Sequence, residues 1–191
     1  MTNVPLEQPN ITDQIYDVIA NIAPFDALEQ EHINDTLAWI KSGEPIFRIQ
    51  KPAVPNKHLV SSAVIFDEKV SKVLLVYHKN YMKWLPAGGH LEPEECPKTA
   101  IARECMEELN IEADFWREDP IFLTSTFTSG PLTHHWDVSL WYVLKGDHRV
   151  VYDYDPREFQ GIQWFGFDEI PYDTADLHMQ RFVDKLKGML W

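Results

Sequence analysis

The chain has 191 residues, 45% of them hydrophobic and 13% aromatic, and a formal net charge of −13 from 30 acidic and 17 basic side chains. That length and apolar content suit one compact domain, or one domain with an extension, and exclude a disordered chain. The acidic balance argues against binding duplex nucleic acid, which needs clustered Lys and Arg, and no stretch approaches the roughly 18 apolar residues of a membrane span.

The opening residues Met1-Thr-Asn-Val-Pro-Leu-Glu7 carry neither a basic nor an apolar leader segment, so no signal peptide is expected. Ile11, Ile15, Val18, Ile19 and Ile22 repeat at helical spacing. After Pro24, so do Ile33, Thr36, Leu37 and Ile40, with Gly43 and Pro45 closing the second helix. Lys51-Pro52-Ala53-Val54-Pro55 reads as an extended connector. Residues 1–57 are therefore expected to be a helical extension and linker. The helices could cap an edge of the main domain (58–191), build a dimer, or simply pack on their own domain. Leu59–Phe66 and Val73–Tyr77 are apolar, β-branched runs parted by Asp67-Glu68-Lys69, and they predict a hairpin.

Trp84-Leu-Pro-Ala87-Gly88-Gly89 then leads into the densest chemistry of the chain. From Gly89 to Ile111 the pattern is Gly-x5-Glu-x7-Arg-Glu-x-x-Glu-Glu-x-x-apolar, carried by Gly89, Glu95, Arg103, Glu104, Glu107 and Glu108. A charged face of a solvated helix would explain any two of these glutamates. An accidental match to all six positions is expected about once in 10⁵ chains of this length, so the joint spacing calls for a chemical reading. Cys96 is a plausible N-cap with Pro97 at N1, and Asn110 tolerates the left-handed conformation of a helix end. At 100° per residue, Glu104, Glu107 and Glu108 share about 100° of arc. Ala102, Cys105, Met106 and Leu109 fall opposite and are expected to face a core. Three carboxylates so crowded repel one another unless a cation neutralises them, and oxygen donors select Mg²⁺ or Mn²⁺ over zinc. A polyphosphate would in turn need that cation to approach so acidic a protein.

This segment resembles the signature of the Nudix hydrolases, which cleave nucleoside diphosphates linked to another group. Cys105 takes a slot usually given to an aliphatic residue, Asn110 replaces the usual glycine, and Ala87 stands between the usual proline and the glycine pair. The resemblance implies an α/β/α sandwich with a mixed sheet. It implies Glu107, Glu108 and the Gly88 carbonyl as metal ligands, with Glu104 sharing the metal or orienting the attacking water. It implies that Arg103 pairs with Glu95 and pins the loop to the helix. Many members carry a further glutamate where Glu158 stands, six residues before Trp164-Phe165. Glu158 is thus either a catalytic or metal-binding group or an ordinary loop charge, with Asp153 and Asp155 as lesser candidates. A homodimer is common in the family.

Strands are predicted near Ile121–Phe127 and Trp136–Leu144, turning at Gly130-Pro131, and again at Ile162–Phe167; Ala175–Leu190 is predicted as a closing amphipathic helix. In His134-His135-Trp136-Asp137, alternation puts His135 and Asp137 on one face. No Cys or His group at zinc-like spacing accompanies them, which argues against a metal cluster and for a place in the substrate-pocket wall. His90 is a candidate phosphate contact. Trp84, Phe127, Trp136 and Trp141 are candidate nucleobase stackers, although most aromatics in such a domain are core. Cys96 and Cys105 on one helix would lie about 13 Å apart, too far for a disulfide, which suits a reducing, cytoplasmic setting. The expected activity is Mg²⁺-dependent cleavage of the diphosphate bond in a nucleoside diphosphate derivative or triphosphate. The alternative is a domain that binds nucleotide without cleaving it, but such a domain generally loses these glutamates. A prenyl diphosphate isomerase would need a cysteine in an apolar pocket, whereas Cys105 is expected to be core.

Overall fold

The computed structural model describes residues 10–129 and 134–190, so the expected Gly130-Pro131 turn lies outside the described residues. Two helices come first, α1 (Ile11–Ala20) and α2 (Ala27–Lys41). Each has a side-chain N-cap: Asn10 accepts from Asp13 N and Asp26 from Glu29 N, both at 2.8 Å. Their inward isoleucines, Ile15, Ile19, Ile33 and Ile40, join the same core as Leu59, Ala63 and Ile65 of the sheet. A buried ion pair ties them further in. Lys185 Nζ donates to both oxygens of the fully buried Glu29, at 2.8 and 2.9 Å, and to Ala23 O at 2.6 Å.

Seven strands are present among the described residues: β1 (Lys57–Asp67), β2 (Lys72–His78), β3 (Lys83–Leu85), β4 (Ala87–His90), β5 (Phe122–Ser129), β6 (His134–Lys145) and β7 (Phe159–Gly166). β1 and β6 run parallel over Lys57–Phe66 and Trp136–Lys145, and every other pairing is antiparallel, so the sheet is mixed. Along one edge of β1 the partner changes. β4 pairs with Val60–Ala63, and β2 with Ile65–Asp67. The glycine pair is thereby held against β1, which lies centrally in the strand order β3-β2-β1-β6-β5.

Strand periodicity sorts the two cores. Ala63, Ile65, Leu140 and Tyr142 face α1, α2 and α3 (Pro97–Leu109), whereas Val64, Phe66, Trp141 and Val143 face α4 (Met179–Leu190). Helices on both faces give the α/β/α sandwich expected from the sequence, with the hairpin β1–β2 where it was predicted.

Three local expectations need correction. Residues 51–55 turn back rather than extend, with Val54 N donating to Gln50 O at 2.9 Å and Ile49 N to Val54 O at 2.8 Å. The last helix begins at Met179, not Ala175. Asp176 N donates to Trp84 O at 2.9 Å while Asp176 Oδ1 accepts from His178 N at 2.8 Å, so residues 175–178 form a turn against β3. On α3 the core face is Ala100, Ile101, Cys105 and Leu109; Met106 is exposed and Ala102 half-buried. The inward face is rotated toward Glu108.

Candidate active site

α3 starts from the Cys96 N-cap with Pro97 in its first turn, and ends on Asn110 at φ 52°, ψ 41°, the left-handed conformation that Asn tolerates. Glu104, Glu107 and Glu108 do share one side, in three different environments. The Glu107 side chain is 60% exposed and that of Glu104 14%, while Glu108 as a residue is only 7% exposed. Glu108 is turned toward β4, where its Oε2 accepts from Gly88 N at 2.8 Å.

The glycine pair makes this approach possible. Gly88 sits at φ +139°, and a Cβ there would lie 2.9 Å from Ser62 Cα of the neighbouring strand. A Cβ on Gly89 would lie 2.6 Å from Glu104 Cδ. A side chain at Gly88 would force β4 away from β1, and one at Gly89 would displace the Glu104 carboxylate.

Electrostatics follow from that packing. Burial pushes the Glu108 carboxyl up to about 9, the charges of Glu104, Glu158 and Glu107 add to the rise, and the Gly88 N–H opposes it. Glu104 is also raised, first by burial and then by Glu107 and Glu158, despite its bond to Arg103. Arg103 organises the loop. Its Nε and Nη2 donate to the two oxygens of Glu95 at 3.0 and 2.9 Å, Nη2 to His90 O at 3.2 Å, and Nη1 to Glu104 Oε1 at 2.7 Å. Burial would raise Glu95, but Arg103 and the Glu92 N–H together outweigh it and hold that carboxyl below its usual range.

The loop before β7 docks on the end of α3, where Asp155 N donates to Glu108 O at 2.8 Å; Lys79 N donates to Glu158 O at 2.9 Å. Asp155 is engaged by Arg157, and Asp153 accepts from Tyr154 N at 2.9 Å. Glu158 is exposed, and its charge is felt at both Glu104 and Glu108.

The remaining candidates divide. Trp84 packs against Tyr77 and Phe165, ring centroids 5.0 Å away in each case, among the residues facing α4. Trp141 is core, its Nε1 bonded to Thr124 Oγ1 at 3.0 Å. Phe127 and Trp136 remain 50% and 42% exposed with rings 5.4 Å apart, an open aromatic pair on β5 and β6. His90, His135 and Asp137 come together, and although no histidine stands at zinc-like spacing in the sequence, the fold brings His58 to them as well. His58, fully buried at the start of β1, stands opposite Asp137 in the parallel β1–β6 pairing. The signal was present only as a histidine at a strand start, and nothing local pairs it with a residue 79 positions away. Arg48, whose Nη1 is 3.4 Å from His90 Nε2, was likewise not foreseen.

A family model described as the NUDIX domain matches residues 56–186. A MutT-like protein of Streptomyces ambofaciens is 27% identical over 139 residues, covering 73% of this chain and 84% of the relative. Among solved structures, the NUDIX domain of Shewanella oneidensis NrtR complexed with ADP ribose superposes with a TM-score of 0.55 at 15% identity, over 70% of this chain and 88% of that one. A C. elegans Ap4A hydrolase binary complex superposes at 0.52 and 20% identity, over 69% and 97%. At such identities the structural likeness concerns the fold.

Proposed function

The chain belongs to the Nudix hydrolase family, and from that premise we propose that α3 and β4 form a divalent-metal site, for Mg²⁺ or Mn²⁺, that cleaves the diphosphate bond of a nucleoside diphosphate derivative or triphosphate. The observation that carries this reading is Glu108, a carboxyl buried beside two others and pushed up to about 9. A group so unfavourable as an anion becomes useful when a cation replaces its proton. The donors are all oxygens, from Glu104, Glu107, Glu108 and the Gly88 carbonyl, and this set fits a hard cation. Bound there, the ion supplies Lewis-acid stabilisation of the charge developing on the phosphoryl group.

The chain's own residues do the rest. Glu104, fixed by Arg103 and pressed against Gly89, orients the attacking water. The water oxygen bonds to phosphorus, the anhydride P–O bond breaks, and the leaving phosphate group keeps the electron pair. Glu158 takes the proton of the water. Arg103 acts through Glu95, Glu104 and the His90 carbonyl, and is a positioning residue. The exposed Phe127–Trp136 pair offers stacking faces for a base. Residues 58–191 would be the hydrolase domain, with residues 1–57 an extension whose helices complete its core. Free thiols at Cys96 and Cys105 suit a reducing, cytoplasmic compartment.

The test is product identification over a panel led by adenosine diphosphate derivatives, since one fold neighbour is complexed with ADP ribose and another is an Ap4A hydrolase. Cleavage at the diphosphate supports the reading; binding without turnover anywhere on the panel contradicts it. Glu158→Gln should lower kcat about 10²-fold or more. Wild-type rates in that variant would remove Glu158 from proton transfer.

A pH dependence also follows. In the metal-free protein Glu108 stays protonated up to about 9, whereas in the unfolded chain it ionises near the ordinary glutamate value of 4.5. Between those values the folded state holds the extra proton, so stability falls as pH rises through that window. Added Mg²⁺ should therefore release protons and restore several degrees of melting temperature, more at pH 8 than at pH 6. Calorimetry in two buffers of different ionisation heat measures the protons. Binding without proton release would contradict the assignment of Glu108.

A further inference from the structure

We propose that His58, His90, His135 and Asp137 form a second metal site, for a zinc-class transition-metal ion, beside the glycine pair and separate from the glutamates of α3. One ligand atom from each residue can be chosen so that all four lie within 4.8 Å of one another. The Nε2 atoms of His58 and His90 are 3.3 and 3.6 Å from Asp137 Oδ1, and His135 Nε2 is 3.2 Å from Oδ2. Tetrahedral bonds of about 2.0–2.1 Å place neighbouring donors roughly 3.3 Å apart, close to these three contacts with the Asp137 carboxylate, two on Oδ1 and one on Oδ2.

A hydrogen bond to backbone fixes the tautomer of His58. Its Nδ1 is 2.9 Å from Pro55 O, and a carbonyl can only accept, so Nδ1 carries the hydrogen. In the neutral ring Nε2 is then a bare lone pair. That atom is buried, makes no hydrogen bond and faces Asp137 Oδ1, which is buried and unbonded too. Two acceptors aimed at each other across 3.3 Å call for a cation between them. An imidazole that gives its other N–H to a backbone carbonyl is also the usual support for a metal-ligating histidine. Asp137 is oriented in the same way, with Oδ2 accepting from Thr128 Oγ1 at 2.8 Å.

Three imidazoles and one carboxylate suit zinc or its transition-metal neighbours and not Mg²⁺. Four protein donors fill a tetrahedral shell, the closed arrangement of a structural site. An anion is excluded by the carboxylate at the centre. Arg48, close to His90 Nε2, must swing aside when the ion binds. By strand parity the cluster lies on the α4 side of the sheet and Glu104 on the α3 side, back to back across β4. The ion would join the starts of β1 and β6 to the end of β4. It would thereby hold Gly88 and Gly89 in register, while the His90 carbonyl continues to receive Arg103.

Cobalt is the probe. Metal-stripped protein, its fold checked by circular dichroism, is titrated with Co²⁺ in excess Mg²⁺. The expected result is one Co²⁺ per chain with the intense visible bands of a four-coordinate ion, displaced by Zn²⁺. Glu107→Gln should leave the signal intact, and His58→Gln and Asp137→Asn should remove it. No uptake by the wild-type protein, uptake that Mg²⁺ competes away, or loss in Glu107→Gln with retention in His58→Gln would each overturn the proposal. The wild-type titration decides even if a variant fails to fold. Nitrogen-15 NMR of the metal-free protein supplies the other arm. Both His58 nitrogens protonated at neutral pH, with no cobalt uptake, would mean a buried imidazolium–carboxylate pair instead.

Discussion

Glu107→Gln is expected to lower kcat by about three orders of magnitude or more while leaving the melting temperature nearly unchanged. Loss of one metal-binding charge removes several kcal/mol of transition-state stabilisation, and each 1.4 kcal/mol is about tenfold in rate. The fold has little at stake. The side chain is 60% exposed, and its carboxylate lies 3.6 Å from Arg103 Nη1 in an i,i+4 pair, an interaction of a few tenths of a kcal/mol. Gln keeps the volume and removes only the charge. Steady-state kinetics beside a thermal melt separate the two effects, and a variant with retained turnover would place Glu107 outside the metal shell. Glu108→Gln makes a useful contrast. An amide can still accept from Gly88 N, so this variant should fold well without metal yet lose the stabilisation that Mg²⁺ confers.

Arg103→Ala should do the opposite and damage stability and rate together. The guanidinium side chain is 24% exposed and its partner Glu95 10%, and the substitution leaves the Glu95 carboxylate with the Glu92 N–H, at 2.9 Å, but without its two bonds to the guanidinium. Breaking a buried pair from one side costs about 3–5 kcal/mol, and partial exposure brings the expectation to about 2–3. For a domain of this size that is roughly 5–10 °C of melting temperature. The rate falls as well, because Glu104 and the His90 carbonyl lose the donors that position them. Arg103→Lys should recover only part of either loss, since an ammonium cannot span both Glu95 oxygens in the fork geometry. A melting temperature within a degree of wild type would show that the loop is held by other contacts.

Much of this was legible in the sequence where the determinants are local. The α3 boundaries follow from Cys96, Pro97 and Asn110, each acting on its own turn of backbone. The hairpin β1–β2 follows from two apolar runs and a polar turn. The Arg103–Glu95 contact expected from the family likeness is a short-range one, eight residues apart. What escaped was decided elsewhere in the chain. The helical wheel treats the glutamates as one solvent face, but the Gly88 N–H draws Glu108 inward, and Met106 is rotated out to solvent as a result. The start of α4 was misplaced because Trp84, far earlier in the chain, captures the backbone at Asp176. His58 was invisible as a partner of Asp137 because a parallel strand pairing has no turn to announce it. Alternation placed His135 and Asp137 on a common face, and only the sheet order could bring His58 and His90 to them.

Hydrolysis is proposed to run on a divalent cation held by the α3 glutamates. The most direct measurement is turnover of the best panel substrate by metal-stripped protein as Mg²⁺ is added back, with Glu107→Gln in parallel. Activity near zero in EDTA, full recovery with Mg²⁺ in the wild type and little recovery in the variant is the predicted result. Undiminished cleavage in EDTA, or equal recovery in both proteins, would contradict it.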